Sequence, residues 1–288
     1  MMRDLAIAYR IYPGISKEPA YFSRDKFKLS EMCLRSFRGA CNGLNVKIWA
    51  LLDGCPPDYE TLFRESFDKD DLEIISLNSV GNFATFSLQI DLLTRQTESK
   101  YVYFAEDDYF YFPEAMGKML AFMEKNAAVD FVTPYDHPDS YNSVERTQKH
   151  HVKPFGDRYW RTASSTCLTF LTSRENLIRT QTLFRSYSRG NMDCPIWLAL
   201  TQKLELADPR VHWKDLFRLK TWLKTWRWGF GAVLFGRRYR LWAPMPALAT
   251  HMESTCLSPV IDWQTLFHDA EKKDNKLTQS SIGHSGNV

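Results

Sequence analysis

The sequence predicts an α/β fold with a mostly parallel central sheet and helices on both faces. Two observations carry this expectation. Short apolar runs alternate with stretches of helical periodicity through the first half of the chain, which is the pattern of strands buried on both faces. Three of those runs end in polar residues: Arg10, Asp53, and the triplet Glu106-Asp107-Asp108. In an open parallel sheet the carboxyl ends of the strands share one edge, and ligands bind beyond that edge.

The elements follow in order. Residues 5–9 form a short apolar run closed by Arg10 and a Pro13-Gly14 turn, a buried strand. Ser23 is an expected N-cap, after which Leu29, Cys33, Phe37 and Ala40 recur at helical spacing until Gly43 and Asn45. Residues 46–52 are the second strand, ending at Asp53-Gly54, and residues 58–67 a helix behind two prolines. Residues 72–77 are the third strand. Phe86, Ile90 and Leu93 then share one face of a helix over 83–95. Residues 101–105 are the fourth strand, running straight into the acidic triplet. Pro113 opens a helix over 114–125, and 130–134 is the fifth strand. The second half is less regular. Residues 136–161, polar and holding His137, His150 and His151, are expected to be a long loop. A strand over 166–171 and helices over 175–187 and 195–203 follow. There is no internal repeat.

Composition limits the function classes. The net charge of +3 over 288 residues excludes a chain that grips nucleic acid by bulk electrostatics. The six cysteines are scattered, with no CxxC pair and no zinc spacing, and read as free thiols in a reducing compartment. The N-terminal apolar stretch is too short for a signal peptide, and no run of about 18 apolar residues exists for a membrane span. The expected location is cytoplasmic, with peripheral attachment to the inner face of the membrane.

The segment YVYFAEDDYFYF places three carboxylates at the end of a buried strand. Buried carboxylates need partners. At this position they suit a hard divalent cation, Mn²⁺ or Mg²⁺, which takes a few carboxylates together with substrate phosphates. Glu106 and Asp108 share a side if the strand continues, and Asp107 then points away. An acidic turn capping the next helix is the plain alternative.

YVYFAEDDYF resembles the Asp-x-Asp motif that ends a central strand in nucleotide-sugar glycosyltransferases of the GT-A fold. The chain is similar to the inverting family-two members, from about residue 5 to residue 199, with His251 in addition. The resemblance implies that Asp108 is the metal ligand. Glu106 stands where the family has Asp, and would take the ribose or a metal-bound water, with Asp107 between them among the nucleotide-binding residues. LLDGCPP resembles the family's second strand and gives Asp53 the nucleotide base, the rival being an ordinary Asp-Gly turn. AYRIYPG implies a nucleotide pocket lined by Tyr9, Arg10 and Tyr12. GNMDCPIWLAL resembles the motif that holds the catalytic base and puts Asp193 there, with Met192 where many relatives carry an acid. An N-cap is the other role for Asp193, and the two are compatible. ALATHMES implies His251 as a further metal ligand, with His150-His151 as the other choice.

Residues 210–242 hold five of the nine tryptophans and nine Lys or Arg against one Asp. A membrane surface or lipid-linked acceptor, a lid over a saccharide acceptor, and plain core packing are the main readings, and single-stranded nucleic acid stacked on the aromatics is a fourth that the rest of the chain does not support. On a helical projection its apolar and basic residues are not cleanly separated. The expected organisation is a nucleotide-sugar core over 1–209, a basic aromatic extension completing the site over 210–272, and a disordered tail over 273–288. The expected activity is metal-dependent transfer of a sugar from a nucleotide-sugar donor to a saccharide or lipid-linked acceptor, with inversion. A nucleotidyltransferase of related fold and a degenerate, non-catalytic binding domain are the alternatives.

Overall fold

The computed structural model describes residues 2–15, 17–141, 149–204 and 216–284, with 274–284 as backbone only. The first half alternates as expected: β1 (Leu5–Ile11), α1 (Lys26–Ala40), β2 (Val46–Asp53), α2 (Pro57–Ser66), β3 (Leu72–Leu77), α3 (Asn82–Arg95) and β4 (Tyr101–Glu106). The chain continues through β5 (Tyr109–Tyr111), α4 (Ala115–Glu124), β6 (Phe131–Val132), β7 (Val152–Phe155), β8 (Arg158–Ala163) and β9 (Phe170–Ser173). It ends with α5 (Arg174–Phe184), α6 (Asp193–Thr201), α7 (Leu216–Leu234), β10 (Leu241–Met245), β11 (Ala249–His251) and α8 (Trp263–His284).

Nine strands form one sheet in the order β3-β2-β1-β4-β9-β6-β10-β8-β7. β3, β2, β1 and β4 are parallel neighbours, as are β6 and β10. β9 and β8 run against their neighbours. The α/β expectation therefore holds, with two reversed strands in the half where the sequence was irregular. β5 and β11 make a separate two-stranded sheet.

The period of two along each strand divides the core. Leu5, Ile7, Tyr9 and Ile11 of β1, with Tyr101, Tyr103 and Ala105 of β4, join the core that contains α1, α2 and α4. Ala6 and Ala8, with Val102 and Phe104, join the opposite core with α3, α5 and α6. Successive side chains of a strand point to opposite faces, so each strand must be apolar on both. A third cluster joins α1, β5 and α8 through Met32, Phe110, Trp263 and Phe267.

Several expected boundaries move. Asp25, not Ser23, caps α1, its carboxylate accepting the Lys28 N–H at 3.0 Å. The expected loop over 136–161 contains strand β7 and most of β8, an antiparallel hairpin that forms the edge of the sheet. Val152, Lys153 and Pro154 of β7 are exposed and do not alternate between apolar and polar, as an edge strand allows, so nothing in the run marks a buried strand. β10, from the segment expected as an extension, lies inside the main sheet between β6 and β8. The tail expected to lack structure from residue 273 is helical as far as His284, and 285–288 lie outside the described residues.

α7 packs on α6 at Gly229. A Cβ there would lie 2.5 Å from the Ala199 Cβ. Gly229→Ala is expected to force the two helices apart and lower stability by about 1–3 kcal/mol, the usual cost of overpacking. Urea unfolding of the variant against the parent measures it.

Candidate active site

β1 and β4 are parallel neighbours with Arg10 directly beside Glu106. Both are at even positions, so both side chains leave the sheet on the α3 side. The Arg10 guanidinium donates to the Glu106 carboxylate and to the Asn82 side chain, and lies 5.5 Å from the Phe86 ring centroid. The other Glu106 oxygen accepts from the Thr169 hydroxyl at 2.7 Å. The Asn82 amide nitrogen donates to the Tyr187 hydroxyl at 3.0 Å. Glu106 is thus fully engaged inside the protein, in a network that braces the floor of a cleft. Burial pulls the Arg10 guanidinium down, but Glu106 more than compensates and holds it above its ordinary value. Glu106→Ala would strand that buried charge, and is expected to cost about 3–5 kcal/mol. A thermal melt tests this, with Glu106→Gln as the milder comparison.

The strand does not continue past Glu106. The chain turns at Asp107 and Asp108 and enters the small sheet as β5. The alternation expected of the triplet therefore fails. Glu106 and Asp108 do not share a side, and Asp107 does not point away. Asp107 faces Lys26 at 2.6 Å and accepts the Tyr12 N–H at 3.4 Å. Burial pulls the Lys26 ammonium down, and Asp107 more than restores it, so Lys26 stays charged.

Asp108 is held from the other side. β11 pairs with β5 so that His251 lies opposite Tyr109, and the Met252 N–H donates to the Asp108 carbonyl at 2.8 Å. This brings the His251 Nε2 to 3.2 Å from the Asp108 Oδ2. The Glu253 N–H donates to the His251 Nδ1 at 3.2 Å, and the Tyr109 ring stacks edge-on to the imidazole at 5.1 Å. A nitrogen that accepts leaves Nε2 as the proton-bearing one. Burial pushes the Asp108 carboxyl up, but the His251 imidazole, with Lys26 and Arg10 behind it, outweighs burial and holds it well below the usual carboxylate range. His251 moves above its ordinary value, since Asp108 outweighs its burial.

The cleft over the ends of β1, β2 and β4 has a volume of about 820 Å³ to its open mouth. Arg10, Tyr12, Asp53, Glu106, Asp107 and Asp108 line it, along with Gly81, Asn82 and Thr85 from the start of α3. Asp108 also lines a much smaller recess with Lys17, Lys26 and His251. Its other oxygen, Oδ1, is buried and has no hydrogen-bond partner among the described residues. A buried acceptor without a donor calls for an explanation, and a cation supplies one. Among the described residues no three His, Cys, Asp or Glu gather as a closed metal site. Asp108 Oδ1 fits a hard ion whose remaining ligands come from bound phosphate oxygens, whereas His251, with both ring nitrogens engaged, would have to give up its bonds to Asp108 and Glu253 to join it.

Two expected residues have other tasks. Tyr9 does not line the cleft. It is an odd residue of β1, buried on the far side against Phe37 and Phe63 at 5.2 and 5.3 Å. Asp53 lines the cleft, but its two oxygens accept the backbone N–H groups of Val80 and Gly81 at 2.7 and 2.8 Å. It ties the loop before α3, where Gly81 has φ of +85°, a conformation that favours glycine.

Asp193 is the first residue of α6, after Met192 as cap, and accepts its neighbour Cys194's N–H at 2.7 Å. It does not line the cleft. Burial raises its pKa, and the charge of Glu106 adds to that. The His150 Nδ1–H donates to the Thr162 carbonyl, 2.7 Å away in the hairpin, and neither His150 nor His151 lines either cavity beside Asp108. Lys26, Asn82, Thr169 and Tyr187 belong to the site but follow no sequence motif. Only their neighbours in space identify them. None of the six cysteines forms a disulfide. No helix among the described residues is long and apolar enough to cross a membrane.

No family model matches the sequence, and no curated protein matches it. Solved structures with a similar chain path include residues 1–349 of S. aureus TarS, with 12% identity, 81% of each chain covered and a TM-score of 0.42. Against the whole of TarS, the alignment covers 65% of this chain and 33% of that one, so this chain spans about a third of its length. Glucosyl-3-phosphoglycerate synthase from Mycobacterium tuberculosis, solved with Mg²⁺ and uridine diphosphate, aligns at 11% identity over 71% of this chain and 66% of that one, with a TM-score of 0.40. The galactosyltransferase LgtC, solved with donor and acceptor sugar analogs, aligns at 7% identity over 67% and 69%, with a TM-score of 0.39. Likeness at this level is one of chain path, and the function is argued from the residues of the site.

Proposed function

We propose that this chain is a divalent-metal-dependent glycosyltransferase that moves a sugar from a nucleoside-diphosphate donor to a saccharide or lipid-linked acceptor, with inversion. One observation carries the reading: the unpartnered, buried Asp108 oxygen beside His251, at the edge of a cleft beyond the ends of parallel strands. The cleft has the size of a small-molecule site, roughly 300–1,000 Å³.

Asp108 would hold the ion, and His251 would join it through Nε2 by releasing the proton there and exchanging its Nδ1 bond to the Glu253 N–H. A divalent cation bound there supplies positive charge to the departing diphosphate. Arg10 lines the cleft and Lys26 the smaller recess beside it, each paired with a carboxylate, Glu106 and Asp107, and the first turn of α3 favours anionic groups by its dipole. The acceptor hydroxyl attacks the anomeric carbon as the bond to the diphosphate breaks, the electron pair leaving with the diphosphate. Asp193, at the position that the motif resemblance gives to the base, would take the proton of an acceptor hydroxyl seated at the start of α6, beside the lining of the cleft. A carboxylate whose pKa is raised by burial is better matched to that task than a free one. One displacement inverts the anomeric carbon.

A panel of UDP-, GDP- and CDP-sugars tests the reading. Release of nucleoside diphosphate in the presence of Mn²⁺, stopped by chelator, is expected for at least one donor. Release of pyrophosphate from a nucleoside triphosphate instead would make the chain a nucleotidyltransferase.

A further inference from the structure

α7 rests on the molecule through a row of small residues, Thr221, Thr225 and Gly229. The rest of its surface sorts by angle, at about 100° per residue. Leu216, Leu223, Phe230 and Leu234 fall on one line, 78, 53, 53 and 50% exposed. Lys220, Lys224 and Arg227 form the next line. On the other side of the apolar line the rings of Trp222, Trp226 and Phe230 follow one another at 6.2 Å, and Phe235, 82% exposed, continues the row at 6.4 Å. With the small row against α6, most of the helix separates into these lines, while Arg218 falls on the small-row side and Phe217, 62% exposed, beyond the basic line. Residues 210–215 of the basic segment lie outside the described residues.

Charge identifies what this face meets. Residues 216–240 contain seven Lys or Arg and no Asp or Glu. Lys224 donates to the Gly190 carbonyl, while Lys220 and Arg227 are exposed and carry no ion pair among the described residues. A second copy would bring the same positive row against itself, which like-charge repulsion opposes. An apolar line flanked by tryptophans on one side and cations on the other suits a helix lying in the plane of an anionic bilayer.

We propose that the exposed side of α7 docks this protein on the surface of a bilayer containing anionic lipid, with Leu216, Leu223, Phe230 and Leu234 at the acyl boundary and Lys220 and Arg227 on lipid phosphates.

Sedimentation of the full chain with vesicles tests this. Vesicles of three parts phosphatidylcholine to one part phosphatidylglycerol are expected to carry the protein down, and pure phosphatidylcholine vesicles to leave it in solution. About 0.5 M salt should release much of it, since screening then acts over a few ångströms. The pair Leu223→Asp with Phe230→Asp, and separately Lys220→Glu with Arg227→Glu, should each weaken partition about tenfold or more. All four positions are exposed, so melting temperatures should stay near that of the parent. The proposal is overturned by absence of sedimentation with the anionic vesicles, by equal sedimentation with both vesicle types, or by wild-type partition of both variant pairs. Self-association abolished by Phe230→Asp, without any vesicle binding, would overturn it too.

Discussion

Asp108→Asn is expected to cut turnover about a thousandfold while leaving the protein folded. The neutral amide keeps the size of the side chain, and its oxygen can still accept from His251, now 3.2 Å from the carboxylate. It lacks the charge that a hard cation prefers in its ligand. Losing the charge stabilisation of the leaving diphosphate removes several kcal/mol, and each ~1.4 kcal/mol is tenfold in rate. The same variant should lose the Mn²⁺-dependent part of nucleotide binding. Steady-state donor turnover, with a melt to confirm the fold, is the measurement. Turnover at the wild-type rate would remove Asp108 from the mechanism.

Asp193→Asn is expected to lower turnover by about a hundredfold to ten-thousandfold, the range for a lost general base, with donor affinity unchanged. The substituted side chain can still accept the Cys194 N–H, so the start of α6 is preserved. The pH profile separates a base from a residue that only holds the first turn of α6. The base works deprotonated, so wild-type turnover should fall as pH drops through the Asp193 pKa. Burial raises that pKa, so the fall should begin above the usual aspartate range. The variant should lack this acid limb. A variant that loses stability and donor binding together, with the limb intact, would leave Asp193 only a structural role in the first turn of α6.

The strands of the first half were legible because each is apolar on both faces, as β1 and β4 show by feeding two different cores. The acidic triplet was legible as a strand end, and Arg10 as its neighbour across the same edge. What the sequence concealed depends on where a strand stops. The turn at Asp107 and Asp108 separates three adjacent carboxylates into three environments: Arg10 and Thr169, Lys26, and His251. Tyr9 was misplaced because one residue of register decides between cleft and core. Lys26 and Thr169 are distant in the sequence from the carboxylates that they meet, and nothing local marks them. The β7–β8 hairpin was missed because an edge pair does not need an apolar run on both faces.

Isothermal titration of the full chain with UDP, GDP and CDP, each with and without Mn²⁺, tests the central claim most directly. At least one of the three should bind with Mn²⁺ present, bind far more weakly without it, and lose the metal-dependent part in Asp108→Asn. Binding of none of them, with metal or without, would contradict it.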